Sequence, residues 1–405
     1  LSKLSSTLMK VCNLILDDTK LSGLIRALVT FTSLSRFIEK IDYDIYTMGC
    51  TNCILDFRGD VVTKKKAKPE DFVVKSTHVR YRNYSMDNEE VKFILDWLTI
   101  IFPSLAVRHF FLKLLAYMLV GENPCRFFVV LIGVQGSEGK SILARVISLV
   151  FGDYAVDVPA STFKQDGKRG GASTELDRTR NCRFSTTCEP VNGPGDKFNN
   201  TLLKTITGND RGFNRSIFEK GGDMTYTILP WFLTNTPIEF TNMDPATKDR
   251  ALVFKLDARF HDKHSKAASR RCPETEDEQH KQRIFPRDRY FPEKIFGLTS
   301  QFLWLICQYH PFVISEGMVI PDEIYQETSK YVDELDPYAR FINLCLREVD
   351  GEFADKAEVL STFEHWWPSQ YSDPAPKPND ATNALNIRLG EVTDKGWRNY
   401  SLYQE

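Results

Sequence analysis

The stretch 131–141, Leu-Ile-Gly-Val-Gln-Gly-Ser-Glu-Gly-Lys-Ser, constrains the fold of this chain more than any other. A continuous apolar run over 127–132 has strand length, a glycine-rich turn follows it, and the spacing from Lys140 to Phe151 is helical. Glycines let successive backbone N–H groups converge on anionic oxygens, and a helix N-terminus adds a favourable dipole. On this reading Gly133, Gly136, Ser137, Glu138, Gly139, Lys140, Ser141 and Ile142 form a nucleotide-binding loop. Lys140 would reach the β- and γ-phosphates of ATP, and Ser141 would hold Mg²⁺. The usual Gly-x4-Gly-Lys-[Ser/Thr] pattern puts its first glycine where this chain has Val134. Gly133 comes one residue early, and Gly136 offers another pivot. The alternative is an ordinary glycine turn.

Further apolar strands are expected at 183–187, 226–233 and Ala251–Leu256. Strands alternating with helices imply an α/β fold, a parallel sheet covered on both faces. Glu189 follows the first of these strands, where a carboxylate at the sheet's carboxyl edge could orient attacking water and help hold the metal. By itself a Glu after a strand is more often a solvated loop residue, so its weight comes from its topological place. Asn235 ends the next strand; its amide suits sensing a γ-phosphate, and the alternative is a turn-forming Asn before Thr-Pro. Arg250 precedes Ala251–Leu256 and could project into a neighbouring subunit as a charge-neutralising finger.

The remainder reads as flanking domains. Helical spacing is seen at 4–16, 21–38, 88–101 and 105–120, with a short hairpin at 53–62. Lys64, Lys65, Lys66 and Lys68 make a basic run that reads as a solvated loop, the alternative being a DNA contact. The charged segment 261–290 reads as a loop or linker, with helices at 292–309 and 321–335. Beyond it come helices at 338–348 and 356–367, then strand-like pieces at 384–388 and 397–403, which suit a winged-helix module with a terminal hairpin. The expected domains are 1–105 (helical), 106–260 (P-loop core), 261–335 (charged linker and helical lid) and 336–405 (winged-helix-like).

Composition limits the options. A chain of 405 residues accommodates two or three domains, and 42% hydrophobic with 26% charged residues is ordinary for a soluble globular protein. No apolar run approaches the roughly 18 residues that span a bilayer, so no membrane partner is expected. The net charge of −2 does not advertise nucleic-acid binding, although a ring can line its pore with Lys and Arg while its outside stays acidic. Nine cysteines, an odd and scattered set, suit reduced thiols in an intracellular protein rather than a disulfide framework. Cys50 and Cys53 form a lone Cys-x-x-Cys without the second pair that zinc would need. A start at Leu1 rather than Met suggests a fragment.

Taken in order, Glu189-Pro, Leu202-Leu-Lys204-Thr-Ile-Thr-Gly208-Asn-Asp210, Phe213-Asn-Arg215, Asn235-Thr-Pro and Asp249-Arg250 resemble the motif series of superfamily 3 helicases. Within them the similarity is to the poxvirus-type primase-helicase ATPases of large DNA viruses, phages and plasmids. Asn52-Cys-Ile-Leu-Asp56, Lys68-Pro-Glu-Asp71 and Tyr331-Val-Asp-Glu-Leu-Asp336 extend the resemblance to both ends. It implies an AAA+-type core between a helical collar and a small winged-helix-like domain. It also implies Lys140, Glu189, Asn235 and Arg250 as catalytic residues, with Ser141 and Glu189 at the metal. Lys204–Arg215 would lead into a pore hairpin with its tip at 219–223, so that Lys204, Arg215 and above all Lys220 would grip DNA. The implied assembly is a homo-hexamer moving 3′→5′ on single-stranded or forked DNA, joined to an N-terminal primase and other replication proteins. Such a protein would work in the host cytoplasm or at a viral replication site. The loop is shifted relative to the usual pattern, and Cys188 stands before Glu189 where an acid is expected.

Two other functions fit the same residues. One is a DNA-stimulated P-loop ATPase that packages or remodels without unwinding. The other is a non-catalytic initiator or loader whose C-terminal module binds duplex DNA. A small-molecule kinase fits less well, because the second half offers no evident acceptor pocket.

Overall fold

The computed structural model describes residues 40–133, 136–164, 174–189, 197–208, 211–214, 222–238, 240, 245–263, 271–371 and 374–403, besides positions 8, 22 and 23. Apart from positions 8, 22 and 23, which are helical, the helices expected at 4–16 and 21–38 lie outside these residues, as do Val134, Arg215 and Lys220. The chain divides into two compact units, 1–44 with 68–74, and 45–67 with 75–405. In the first, the Asp71 carboxylate accepts from the Lys68 N–H at 2.9 Å and the Asp42 carboxylate from the Val74 N–H at 2.8 Å.

The second unit begins with an antiparallel sheet of β1 (Thr47–Gly49), β2 (Ile54–Asp56) and β3 (Thr63–Lys65). Lys64 and Lys65 lie on the exposed third strand, which corrects the loop expected there. Helix α1 (Glu89–Ile101) starts where the Asn88 side chain accepts from the N–H groups of Glu90 and Val91. Pro103 separates it from α2 (Leu105–Tyr117), which Ser104 caps.

The central sheet follows from alternation of apolar strands and helices: β4 (Phe128–Gly133), α3 (Lys140–Phe151), β5 (Ala155–Asp157), β6 (Phe184–Cys188), α4 (Asn200–Thr207), the pair β7 (Arg211–Asn214) and β8 (Gly222–Thr225), β9 (Leu229–Thr234) and β10 (Ala251–Leu256). Five strands lie in the order β10-β4-β9-β6-β5, every pairing parallel. Strand residues alternate between faces. Val129, Leu131, Trp231, Leu233, Leu252 and Phe254 join one buried cluster, whereas Phe128, Val130, Phe232, Ala251 and Val253 join another. Each sheet face is thus dry, which is why these segments read as unbroken apolar runs.

Beyond β10 come β11 (Arg259–His261), α5 (Glu276–Gln282), β12 (Ile284–Pro286), α6 (Phe291–Phe296), α7 (Thr299–Glu316) and α8 (Asp322–Leu335). The segment expected as a charged linker therefore holds a parallel β11–β12 ladder and a helix. The single helix expected at 292–309 is two, divided after Phe296, and α7 runs past Pro311 to Glu316. One core contains Val91 and Leu98 of α1, Leu114 of α2, Val129 of β4 and Leu303 of α7, so helices on both sides of residue 105 share it. Among the described residues no single helix is long and apolar enough to cross a membrane.

The C-terminal part has its own core of Phe341, Val359, Phe363, Leu385 and Trp397. Its elements run α9 (Pro337–Cys345), β13 (Leu346–Ala354), α10 (Lys356–Gln370), α11 (Pro378–Leu389) and β14 (Trp397–Leu402). The strand expected at 384–388 is helix, because Ala381 and Leu385, four apart, face the core and Pro378 sits at a helix start. The strand β14 pairs instead with β13, Leu346 opposite Leu402 and Ala354 opposite Trp397.

One glycine lets the end of α3 pass close to the backbone of Ser76 and Thr77. Gly152 has φ +55, and a Cβ there would lie 2.5 Å from the Thr77 carbonyl. The substitution Gly152→Ala is expected to destabilise the chain by about 2 kcal/mol or more, through left-handed strain and backbone overlap. A lowered midpoint in thermal or urea denaturation checks this.

Candidate nucleotide site

The site grows from the carboxyl edge of the parallel sheet. β4 delivers Gly133, and the chain then turns through Gly136 (φ +80), Ser137 (φ +66) and Gly139 (φ +86) into α3. Gly136 thus serves as the pivot that Val134 could not supply. Gly139 caps α3 without a side-chain hydrogen bond, which leaves the first-turn N–H groups for an anion. Gly133 lets the lysine fold back: a Cβ there would lie 2.3 Å from Lys140 Nζ and 2.7 Å from Glu138 Oε2.

Lys140 is nearly buried and doubly held. Its ammonium donates to Glu138 Oε2 at 2.9 Å and to Asn235 Oδ1 at 2.6 Å. The Glu138 side chain is 2% exposed, so the pair is screened little by water. Asn235 gets there because β9 lies beside β4, with Ile132 opposite Thr234, so the residue after β9 emerges at the same edge. A turn fixes it: the Thr236 N–H donates to the Thr234 hydroxyl at 3.1 Å. Nothing in the local sequence marks Glu138 as a counter-ion; only the folded loop puts it there.

Glu189 follows β6 on the far side of β9. Its N–H donates to the Leu233 carbonyl at 2.9 Å, and its φ of +46 is unusual for a residue with a side chain. Backbone strain of this kind gathers at functional positions. Burial, followed by the charges of Asp157 and Glu189, raises the pKa of the preceding Cys188 thiol. Ser141, exposed in the first turn of α3, and Glu189 both belong to this carboxyl edge. Among the described residues no cluster of three or more His, Cys, Asp or Glu could hold a metal. An exposed hydroxyl and an exposed carboxylate fit Mg²⁺, which keeps several waters and takes few protein ligands.

Arg250 is not brought to these residues within one chain. It precedes β10 at the amino edge, where its carbonyl accepts from the Phe128 N–H at 2.9 Å. Its guanidinium donates to the Lys204 carbonyl and the Thr207 hydroxyl, each at 3.0 Å, tying the end of α4. Six-residue strands separate the two edges by about 20 Å. Lys204 lies in the last turn of α4, which leads into the antiparallel β7–β8 pair. Asn214 pairs with Gly222 and Phe213 with Asp223, so Gly222 and Asp223, expected at the tip of the hairpin, are strand, and the rest of the expected tip lies outside the described residues.

A cleft of about 1020 Å³ opens over the loop, lined by Gly136 to Ile142 and Asn235 on one side. Its other walls are Phe93 and Trp97 of α1, Phe260, Phe285 and Phe291, with Arg287 and Arg289 among its lining residues. The sequence reading did not find these residues. The sign was available only for Phe93 and Trp97, four apart on one helix face.

No protein-family model matches the chain. Three viral proteins, each bearing the name "Putative helicase", are similar to it. Protein 184R of Invertebrate iridescent virus 6 is 26% identical over 76% of this chain, and 022R of Frog virus 3 (isolate Goorha) is 24% identical over 77%. Protein 121R of Invertebrate iridescent virus 3 is 24% identical over 87%. The chain spans about a third of the length of these relatives, 31%, 32% and 38% respectively. Among solved structures, an apo form of the NrS-1 C-terminal region aligns with TM-score 0.44 and 11% identity, over 74% of this chain and 77% of that one. A second form aligns with TM-score 0.41 and 10% identity over 86% and 93%. The chain is thus an α/β protein with a five-stranded parallel sheet and distant relatives among viral helicase-named proteins.

Proposed function

We propose that this chain is the ATP-driven motor of a replicative DNA helicase of superfamily 3 type. One observation carries the reading: Lys140 reaches across adjoining parallel strands to Asn235 beside an uncapped helix N-terminus. That arrangement lets one site bind a triphosphate and register its γ-phosphate. The names of the three viral relatives support the helicase reading.

In this reading Gly136 to Ile142 cradle the phosphates, Lys140 moves from Glu138 to the β- and γ-oxygens, and Asn235 follows the γ-phosphate. Ser141 and Glu189 would hold the shell of Mg²⁺, whose charge offsets that of the phosphates. Glu189 takes the proton of the attacking water. The amino-edge location of Arg250 favours service to a neighbour's site, in a homo-hexamer, over service to its own. Lys204, Arg215 and Lys220 grip the backbone of single-stranded DNA at a fork without reading bases, and translocation runs 3′→5′. The expected collar (1–105) and AAA+ core (106–260) share a core through Met48, Leu55 and Val91 with Leu114 and Val129, so the collar role is limited to the part of 1–105 outside that core. Residues 261–335 act as lid and 336–405 as a winged-helix-like module, for which the α-β-α-α-β order of the last part is support. An N-terminal primase and other replication proteins are the expected partners, inside infected cells.

The test combines imaging with ATP and Mg²⁺ and a fork-unwinding assay on the same sample. Rings and displacement of a strand from a fork with a 3′ tail are expected. DNA-stimulated hydrolysis without displacement would replace the helicase by a packaging or remodelling motor, and rings without hydrolysis by a loader.

A further inference from the structure

The Cys-x-x-Cys of the first small sheet has no part in the nucleotide site. Strand register places it: Met48 faces Leu55 and Gly49 faces Ile54 across β1 and β2, so Cys50 and Cys53 are the next facing pair. The Cys50 N–H donates to the Cys53 carbonyl at 2.8 Å. Residues paired in this way have Cα atoms about 5.5 Å apart, within the span that a disulfide bridges. The two thiols hydrogen bond each other, with Cys53 in the large core and Cys50 packed against it. A neighbouring segment fixes the connection between them. The Asn52 amide donates to the Tyr81 carbonyl at 3.0 Å and accepts from the Tyr81 N–H at 2.9 Å. The Thr51 N–H donates to the Val79 carbonyl at 3.1 Å, and the Thr77 hydroxyl to Cys50 Sγ at 3.5 Å. Among the described residues the pair belongs to no set of three ligands able to hold a metal.

We propose that Cys50 and Cys53 are a reversible redox site, a dithiol that a hydroperoxide closes to an intrachain disulfide. The two sulfurs are unequal, which assigns their roles. The hydrogen bond from Cys50, aided by the charge of Lys64 on β3, outweighs burial and lowers the Cys53 pKa to about 7. The same hydrogen bond, with burial, pushes the Cys50 thiol well up. The other titratable groups beside the pair, Tyr81 and Cys307 of α7, hydrogen bond each other and are pushed up by burial, so they stay neutral. Cys53 is therefore the attacking thiolate and Cys50 the resolving thiol. Cys53 attacks one oxygen of hydrogen peroxide, the O–O bond breaks, and hydroxide leaves behind a sulfenic acid. Cys50 then attacks the Cys53 sulfur, and its proton departs with the sulfenic hydroxyl as water. Two electrons pass from the pair to the peroxide, and a dithiol reductant returns them. Cys53 is 7% exposed and Cys50 half-buried, which admits an oxidant of water's size and hinders pairing with a thiol of another protein.

The experiment treats the whole chain with hydrogen peroxide and maps its cysteines by peptide mass spectrometry. A Cys50–Cys53 disulfide should form first, ahead of any oxidation at the exposed Cys125 and Cys188, and dithiothreitol should reopen it. The rate should rise about tenfold from pH 6 to pH 8, as Cys53 loses its proton. Cys50→Ser should stop at a Cys53 sulfenic acid that a 1,3-dione traps, and Cys53→Ser should give neither product. In both variants the buried Cys307 should stay closed to a thiol reagent, which reports an intact fold. Should either variant open Cys307, the order of oxidation and the pH profile of the wild-type chain still decide. Earlier oxidation of Cys125 or Cys188, a disulfide from Cys53 to any other cysteine, or a rate that ignores pH would overturn the proposal.

Discussion

Replacing Lys140 with Ala is expected to lower ATP turnover by about 10³-fold or more and to destabilise the free protein at the same time. The first effect follows from removing the cation that meets charge developing on the transferring phosphoryl group. The second follows from the loop's own geometry. Glu138 is 2% exposed, and the Lys140 ammonium at 2.9 Å is its paired cation in the loop. Taking away that cation weakens the support of a buried carboxylate, so the denaturation midpoint should fall. The two effects separate by substitution. Glu138→Gln retains the shape, frees the lysine from a carboxylate it must leave before it can reach a phosphate, and should tighten ATP binding several-fold. The double variant Glu138→Gln, Lys140→Ala should recover most of the lost stability and none of the turnover. ATP hydrolysis, nucleotide titration and denaturation midpoints on the three variants check each arm. Wild-type turnover in Lys140→Ala would remove the motor reading altogether.

Glu189→Gln should reduce turnover by about 10²–10⁴-fold, the usual worth of a positioned general base, and leave ATP affinity within about threefold. The amide keeps the size and the backbone but cannot take the water's proton. The left-handed φ of +46 at Glu189 suits a long polar side chain no better in Gln than in Glu, so stability should not change. Single-turnover hydrolysis beside equilibrium ATP binding gives both numbers. Loss of binding together with turnover would make Glu189 a structural residue of the edge rather than a base. Undiminished turnover would move the base to another residue.

The elements nearest the phosphate loop were legible before the fold was seen. Lys140–Phe151 begins and ends as its spacing implies, and Ala251–Leu256 matches its apolar run. These segments are long, strongly periodic or dry on both sides, so local pattern and tertiary environment agree. The misreadings lie where they disagree. Charged residues over 261–290 suggest a solvated linker, yet Ile284 and Phe285 pair with Arg259 and Phe260 in a short ladder. Three-residue strands are too brief to show a period. Likewise 384–388 alternates like a strand, while Leu385 is buried as one turn of a helix.

The sequence alone determined that a strand, a glycine turn and a helix would present Lys140 and Ser141 at one edge of a parallel sheet, because those features are local and backbone-directed. Only the tertiary structure decided what surrounds them. Strand order put β9 between β4 and β6, which brings Asn235 onto Lys140 and sets Glu189 one strand further out. It also put Arg250 at the opposite edge and closed the cleft with rings from α1, β11, β12 and α6. Partners chosen by sheet order and packing leave no periodic trace in the chain, since contacts between distant residues are selected by shape and burial rather than by neighbouring sequence.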